Sequence, residues 1–163
     1  MENNKKKIYI LYGSATGNGE SIAHILEESI HEEFEYDVCC GTLNSIKNDI
    51  SELHNHCSLL IVICSTTGNG DAPENARIFW NTIKKRSLSK TILNNIPFIV
   101  LGLGDTNYDK FCHMGKSIDK RLKEIGGKQY LELECADEAT NFEEVIENWN
   151  DKVLSILKNN IFI

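Results

Sequence analysis

The sequence predicts an α/β fold: a doubly wound, five-stranded parallel sheet in the order 2-1-3-4-5, with helices on both faces. Three observations lead there. Short apolar runs alternate five times with segments of helical period. The strongest run, residues 59–64 (LLIVIC), is apolar throughout, as a parallel strand covered on both faces must be. Polar, glycine-containing turns follow the first, third and fourth runs. Right-handed crossovers then make strands 1 and 3 central neighbours, with a ligand crevice beyond their carboxyl ends.

Taken in order, residues 7–13 (KIYILYG) form the first strand, and residues 14–19 turn into a helix whose inner face is Ile22, Ala23, Leu26 and Ile30. Residues 36–40 (YDVCC) make the second strand, and a weaker helix is expected over 46–53. The third strand is 59–64, followed by a polar loop, 65–73, and a helix marked by Ala76, Phe79, Trp80 and Ile83. Residues 98–103 give the fourth strand and 104–110 its loop. Met114, Ile118, Leu122 and Ile125 then have helical spacing, which Gly126 and Gly127 end. Residues 129–135 are the fifth strand, and Phe142, Val145, Ile146, Trp149, Val153 and Ile156 mark the last helix. No linker or internal repeat interrupts this pattern, so a single domain over residues 1–163 is expected.

Composition narrows the function. The chain has 163 residues, 41% hydrophobic and 25% charged, which suits a folded domain with a sizeable core. A formal net charge of -7 argues against nucleic acid as the main partner and permits docking to a basic protein surface. No apolar run has the length of a membrane span. The start, MENNKKK, leads into no signal-peptide core, and six cysteines without a C-x-x-C pair suit free thiols. A cytoplasmic protein is therefore expected.

The chemistry is expected in the three loops. Ser14-Ala15-Thr16-Gly17-Asn18-Gly19 brings hydroxyls, an amide and glycine backbone to a helix start, where free N–H groups and the dipole favour an anion. It lacks the Gly-Lys-Ser/Thr ending of a triphosphate loop and the G-x-G-x-x-G of a dinucleotide loop. A terminal phosphate on neutral donors suits it; so does a plain polar turn with Ser14 as helix cap. In Ser65-Thr66-Thr67-Gly68-Asn69-Gly70-Asp71-Ala72-Pro73, the glycines let backbone approach a planar ring, although the same residues serve an ordinary loop capped by Asp71. In Gly102-Leu103-Gly104-Asp105-Thr106-Asn107-Tyr108, Tyr108 is an aromatic able to stack on a ring or to pack on the next helix.

Together the loops carry a resemblance. SATGNG, STTGNGDAP and GLGDTNYDKF resemble the three FMN-binding loops of flavodoxins and of the diflavin reductase family. The segment FCHMGKSIDKRL resembles the diflavin group especially; with STTGNGD and the later Ala136-Asp137 it is most similar to the methionine synthase reductases, with the cytochrome P450 reductases and the reductase of cytosolic iron–sulfur assembly as near rivals. The resemblance spans residues 7 to about 157 and implies a flavodoxin-like fold with FMN as cofactor. It implies that Ser14, Ala15, Thr16, Gly17, Asn18 and Gly19 hold the phosphate. Thr66, Thr67, Gly68, Asn69 and Gly70 would line the ring. Leu103, Gly104, Asp105, Tyr108 and Phe111 would form the other wall, with Asp137 nearby. Many flavodoxins carry Thr where Gly19 stands, and some diflavin reductases carry Tyr where Thr67 stands.

The function so implied is one-electron transfer from an FAD/NADPH-binding reductase module, in the same or a separate chain, to a protein acceptor. No nucleophile or general base is needed, and NADPH turnover by this chain alone is not expected. A free-standing flavodoxin is the alternative, and a flavin-free adaptor a further one. His54-Asn55-His56-Cys57 offers metal-ligand types, but too close together to close a tetrahedron. The acids Asp71, Glu74, Asp105, Asp109, Asp137 and Glu138 lie in or beside the loops proposed to surround the flavin edge; they either ring that edge or form a solvated face that keeps the domain soluble.

Overall fold

A computed structural model describes residues 7–46 and 50–159. Strand β1 (Lys7–Gly13) leads into helix α1 (Asn18–Glu33) and then strand β2 (Asp37–Thr42). A 3-10 turn (Leu43–Ile46) and helix α2 (Ser51–His56) precede strand β3 (Cys57–Ser65). A second 3-10 turn (Glu74–Ala76) opens helix α3 (Arg77–Ile83), followed by strand β4 (Pro97–Gly104) and helix α4 (His113–Glu124). The chain ends with strands β5 (Lys128–Gln129) and β6 (Glu134–Asp137) and helix α5 (Phe142–Lys158). All pairings between these strands are parallel, in the order β2-β1-β3-β4-β5, with β6 also on β4. The expected order is therefore the observed one.

The sheet is sandwiched because its strands send alternate residues to opposite faces. Tyr9, Leu11, Leu60, Val62, Phe98 and Val100 face a core shared with α3 and α4. Ile8, Ile10, Ile61, Ile63, Ile99 and Leu101 face a second core, against α1 and α5, with Trp149 fully buried. The apolar run 59–64 lies inside both. None of the helices among the described residues is long and apolar enough to cross a membrane.

Two expectations about elements need correction. The fifth strand is broken. Phe98 pairs with Gln129 and Leu101 with Glu134, so four residues of the outer chain face two of β4, and residues 130–133 bulge out of the ladder. The helix expected over 46–53 begins only at Ser51. Ile46 instead closes the 3-10 turn, and residues 47–49 lie outside the described residues.

Candidate functional site

The sheet's register builds the site. Gly13 pairs with Cys64, Ser65 with Leu103, and Gly104 with Asp137, so β1, β3, β4 and β6 end at one level. Their loops therefore leave the same edge. There they enclose a cleft of about 340 Å³, lined by Ala15 and Thr16, by 65–68, by 103–105, and by Tyr108, Lys110, Cys112 and Glu138.

In the first loop Gly17 is the N-cap residue of α1, at φ 85°, a conformation glycine adopts without penalty. Having no side chain, it leaves the helix start to other groups. Ser14 is not the cap residue, yet its Oγ accepts the Gly19 N–H at 3.1 Å. Asn75, from the turn before α3, anchors Ser14: its Oδ1 accepts the Ser14 N–H at 3.0 Å, and its Nδ2 donates to the Ser14 carbonyl at 3.3 Å. Asn18 Nδ2 donates to Glu138 Oε1 at 2.9 Å, joining the first loop to the one after β6.

The second loop is a small hairpin. Thr67 and Asp71 exchange backbone hydrogen bonds of 2.9 Å around Gly68-Asn69-Gly70. Gly70 has φ 96°, so a side chain there would be strained, and its Cβ would lie 2.8 Å from Lys110 Cδ, which would have to swing aside. Asp71 is exposed and caps nothing; the turn at 74–76 starts from Pro73. Thr66 Oγ1 accepts the Met114 N–H at 3.0 Å, so this hydroxyl caps α4 while its residue still lines the cleft.

The third loop is tied by Asp137. Its Oδ1 accepts the Thr106 and Ala139 N–H groups, each at 3.0 Å. Its Oδ2 accepts the hydroxyls of Thr106 at 2.7 Å and Thr140 at 3.2 Å. Burial raises the Asp137 pKa, but these donors outweigh it and hold the carboxyl below its ordinary 3.8. Asp137 is thus a buried tether rather than one of the exposed acids of the rim; Asp71, Asp109 and Glu138 are exposed. Tyr108 stands at the mouth of the cleft, 64% exposed.

The remaining expected residues divide. Asn69 lines an adjoining hollow with Gly68 and Tyr108. Phe111 lies behind the wall, its Cδ2 3.0 Å from where a Gly104 Cβ would stand. Cys112 is fully buried beside Cys135; their sulfurs lie 3.3 and 3.5 Å from where a Gly102 Cβ would sit. The hydrogen bond with Cys135, together with burial, drives the Cys112 thiol far above its ordinary value, so it stays protonated. Cys112 lines the cleft, and so do Ser65 and Lys110, which the sequence did not single out because nothing local in their loops distinguishes a facing residue from its neighbour.

Comparison with known proteins agrees with this geometry. The family model described as flavodoxin matches residues 10–149. The chain belongs to the flavodoxin family. Within curated sequences it is 35% identical over 145 residues to methionine synthase reductase of Bos taurus, covering 88% of this chain and 20% of that protein. It is 36% identical over 133 residues to NADPH-dependent diflavin oxidoreductase 1 of Schizosaccharomyces pombe, covering 80% of this chain and 22% of that one. The chain thus spans about a fifth of the length of these relatives. Among solved structures it is similar to oxidised flavodoxin 2 from Bacillus cereus, with TM-score 0.72 and 26% identity over 94% of this chain and 99% of that one. In this flavodoxin-family chain, the three converging loops occupy the switch-point edge expected to bind ligands.

Proposed function

We propose that this chain is an FMN-binding electron-transfer domain, relaying single electrons from an FAD/NADPH-binding reductase module to a protein acceptor. The observation that carries the reading is the convergence of the loops after β1, β3 and β4 on one cleft, in a chain of the flavodoxin family. The relay role rests on the relatives: identity to the diflavin enzymes, 35–36%, exceeds the 26% to the free-standing flavodoxin.

The donor set suits FMN. The hydroxyls of Ser14 and Thr16, the Asn18 amide and the backbone from Ala15 to Gly19 would hold a terminal phosphate at the start of α1, where the helix dipole favours an anion. Thr66, Thr67, Gly68 and Asn69 would face one side of the ring, and Gly104, Asp105 and Tyr108 the other. Bound FMN would supply the one-electron chemistry. The protein's part would be to hold the ring between these walls, with Cys112, whose thiol its hydrogen bond with Cys135 and burial keep protonated, lining the same cleft. The carboxylates of Asp105 and Glu138 line the cleft and oppose added negative charge there. Exposed acids beside the mouth, Asp71 and Asp109, would meet a basic partner surface.

Fluorescence titration tests the cofactor assignment. One equivalent of FMN should bind, tighter than riboflavin or FAD. Equal affinity for riboflavin would remove the phosphate role given to Ser14, Thr16 and Asn18.

A further inference from the structure

Away from the cleft, His24 and Glu27 of α1 meet Cys40 of β2, and one ligand atom from each lies within 4.8 Å of the other two. His24 Nδ1 is 3.4 Å from Glu27 Oε1 and 3.9 Å from Cys40 Sγ. A tetrahedral zinc ion, at about 2.0 Å from nitrogen or oxygen and about 2.3 Å from sulfur, separates its ligands by roughly 3.5 Å. Both spacings from His24 lie within about half an ångström of that separation, and Glu27 to Cys40 is within 4.8 Å, so side-chain rotation closes the set. The geometry points to a Zn²⁺ site made of His24 Nδ1, Glu27 and Cys40, bridging the first helix to the edge strand.

Two independent features support a built site. The other imidazole nitrogen, Nε2, faces Glu20 Oε1 at 3.8 Å. A carboxylate hydrogen-bonded to the far nitrogen of a ligating histidine fixes its tautomer and raises its basicity; Glu20, at 3.8 Å, is a few tenths of an ångström beyond that contact and on a mobile side chain that can make it. The Tyr12 ring packs against the His24 ring, with centroids 6.0 Å apart, and limits its rotation. Residues 20, 24 and 27 share one face of α1 by the i, i+3 and i+4 rule, and β2 brings in position 40 from sixteen residues away.

The ligand types select the metal. One thiolate with one imidazole and one carboxylate suits zinc; a hard cation such as Ca²⁺ or Mg²⁺ needs an oxygen cage that a single carboxylate does not supply. On binding, the Cys40 S–H bond breaks, sulfur bonds the metal, and the proton passes to solvent; no electron moves. Water would complete the fourth position.

Cobalt substitution tests the assignment directly. The full chain, reduced and freed of metal, is titrated with Co²⁺ and then with Zn²⁺. The expected result is a thiolate-to-cobalt charge-transfer band saturating at one equivalent and erased when zinc displaces cobalt. Cys40→Ser should abolish the band and His24→Ala saturable binding, while Glu20→Gln should weaken binding about tenfold. His24 and Glu20 are exposed on the helix, so their variants carry the test even if Cys40→Ser misfolds. A titration without the band, or a band that survives in Cys40→Ser or binding unchanged in His24→Ala, would overturn the site.

Discussion

At the residue scale, Asp137 and Tyr108 show how one sheet edge holds opposite kinds of side chain. Asp137 is buried and answers four donors, tying the loop after β4 to the one after β6. Because its folded pKa lies below the unfolded value, its contribution is complete above the ordinary aspartate range and fades as pH falls through the lower, folded value. Asp137→Asn should lower Tm at neutral pH and flatten the acid limb of Tm against pH. An unchanged limb would show that the loop does not depend on this charge. Tyr108 instead projects into solvent at the mouth. If it stacks on the flavin, Tyr108→Ala should weaken FMN binding roughly two- to tenfold, the worth of an aromatic contact beyond area burial. Tyr12, buried and against His24, should affect FMN little when mutated conservatively to Phe, and titration of both variants separates the roles.

At the element scale, α4 sits unusually close to β4. A Cβ on Gly115 would lie 2.8 Å from Gly102 Cα, so helix and strand approach backbone to backbone. Gly115→Ala should therefore destabilise the fold by about 1–3 kcal/mol despite alanine's better helix propensity. A urea midpoint at or above that of the parent would contradict the close packing. The same helix begins at the Thr66 hydroxyl, so the second loop positions α4 as well as the cleft. Asn44 does the equivalent for α3: its Oδ1 accepts the N–H groups of Ile78 and Phe79, and its Nδ2 donates to the Glu74 carbonyl.

At the scale of the whole molecule, the formal charge of -7 and the exposed acids near the cleft would steer the encounter with the proposed partners. The Debye length falls from about 10 Å at 0.1 M salt to about 3 Å at 1 M, so steering by these groups should fade across that range. Stopped-flow reduction of the FMN-loaded chain by an FAD/NADPH reductase module should slow as salt rises. Asp71→Lys combined with Asp109→Lys should slow it at low salt without releasing FMN, since charges of this kind act on association rate. A rate indifferent to both salt and charge reversal would leave the acids a solubility role.

The order of the sheet, four of the five helical segments and the three loops that converge on the cleft were legible in the sequence. They depend on period and on local turn chemistry, which a single stretch of chain displays. Residues 59–64 reported a strand buried on both faces before any neighbour was known, and SATGNG a polar helix start. What only the tertiary structure decided are the contacts between stretches. The bulge at 130–133 follows from the register against β4, which residues 129–135 alone do not reveal. Asp137 reads as one more acid until Thr106, Ala139 and Thr140 are folded around it. Metal-ligand types drew attention to His54, His56 and Cys57, yet His54 Nδ1 lies 2.8 Å from the Ile92 carbonyl, and among the described residues the cluster whose ligand atoms lie within 4.8 Å of one another is His24, Glu27 and Cys40. Helical period places His24 and Glu27 side by side, but only the packing of α1 on β2 brings Cys40 to them, because a parallel crossover sets neighbours by sheet order and not by distance along the chain.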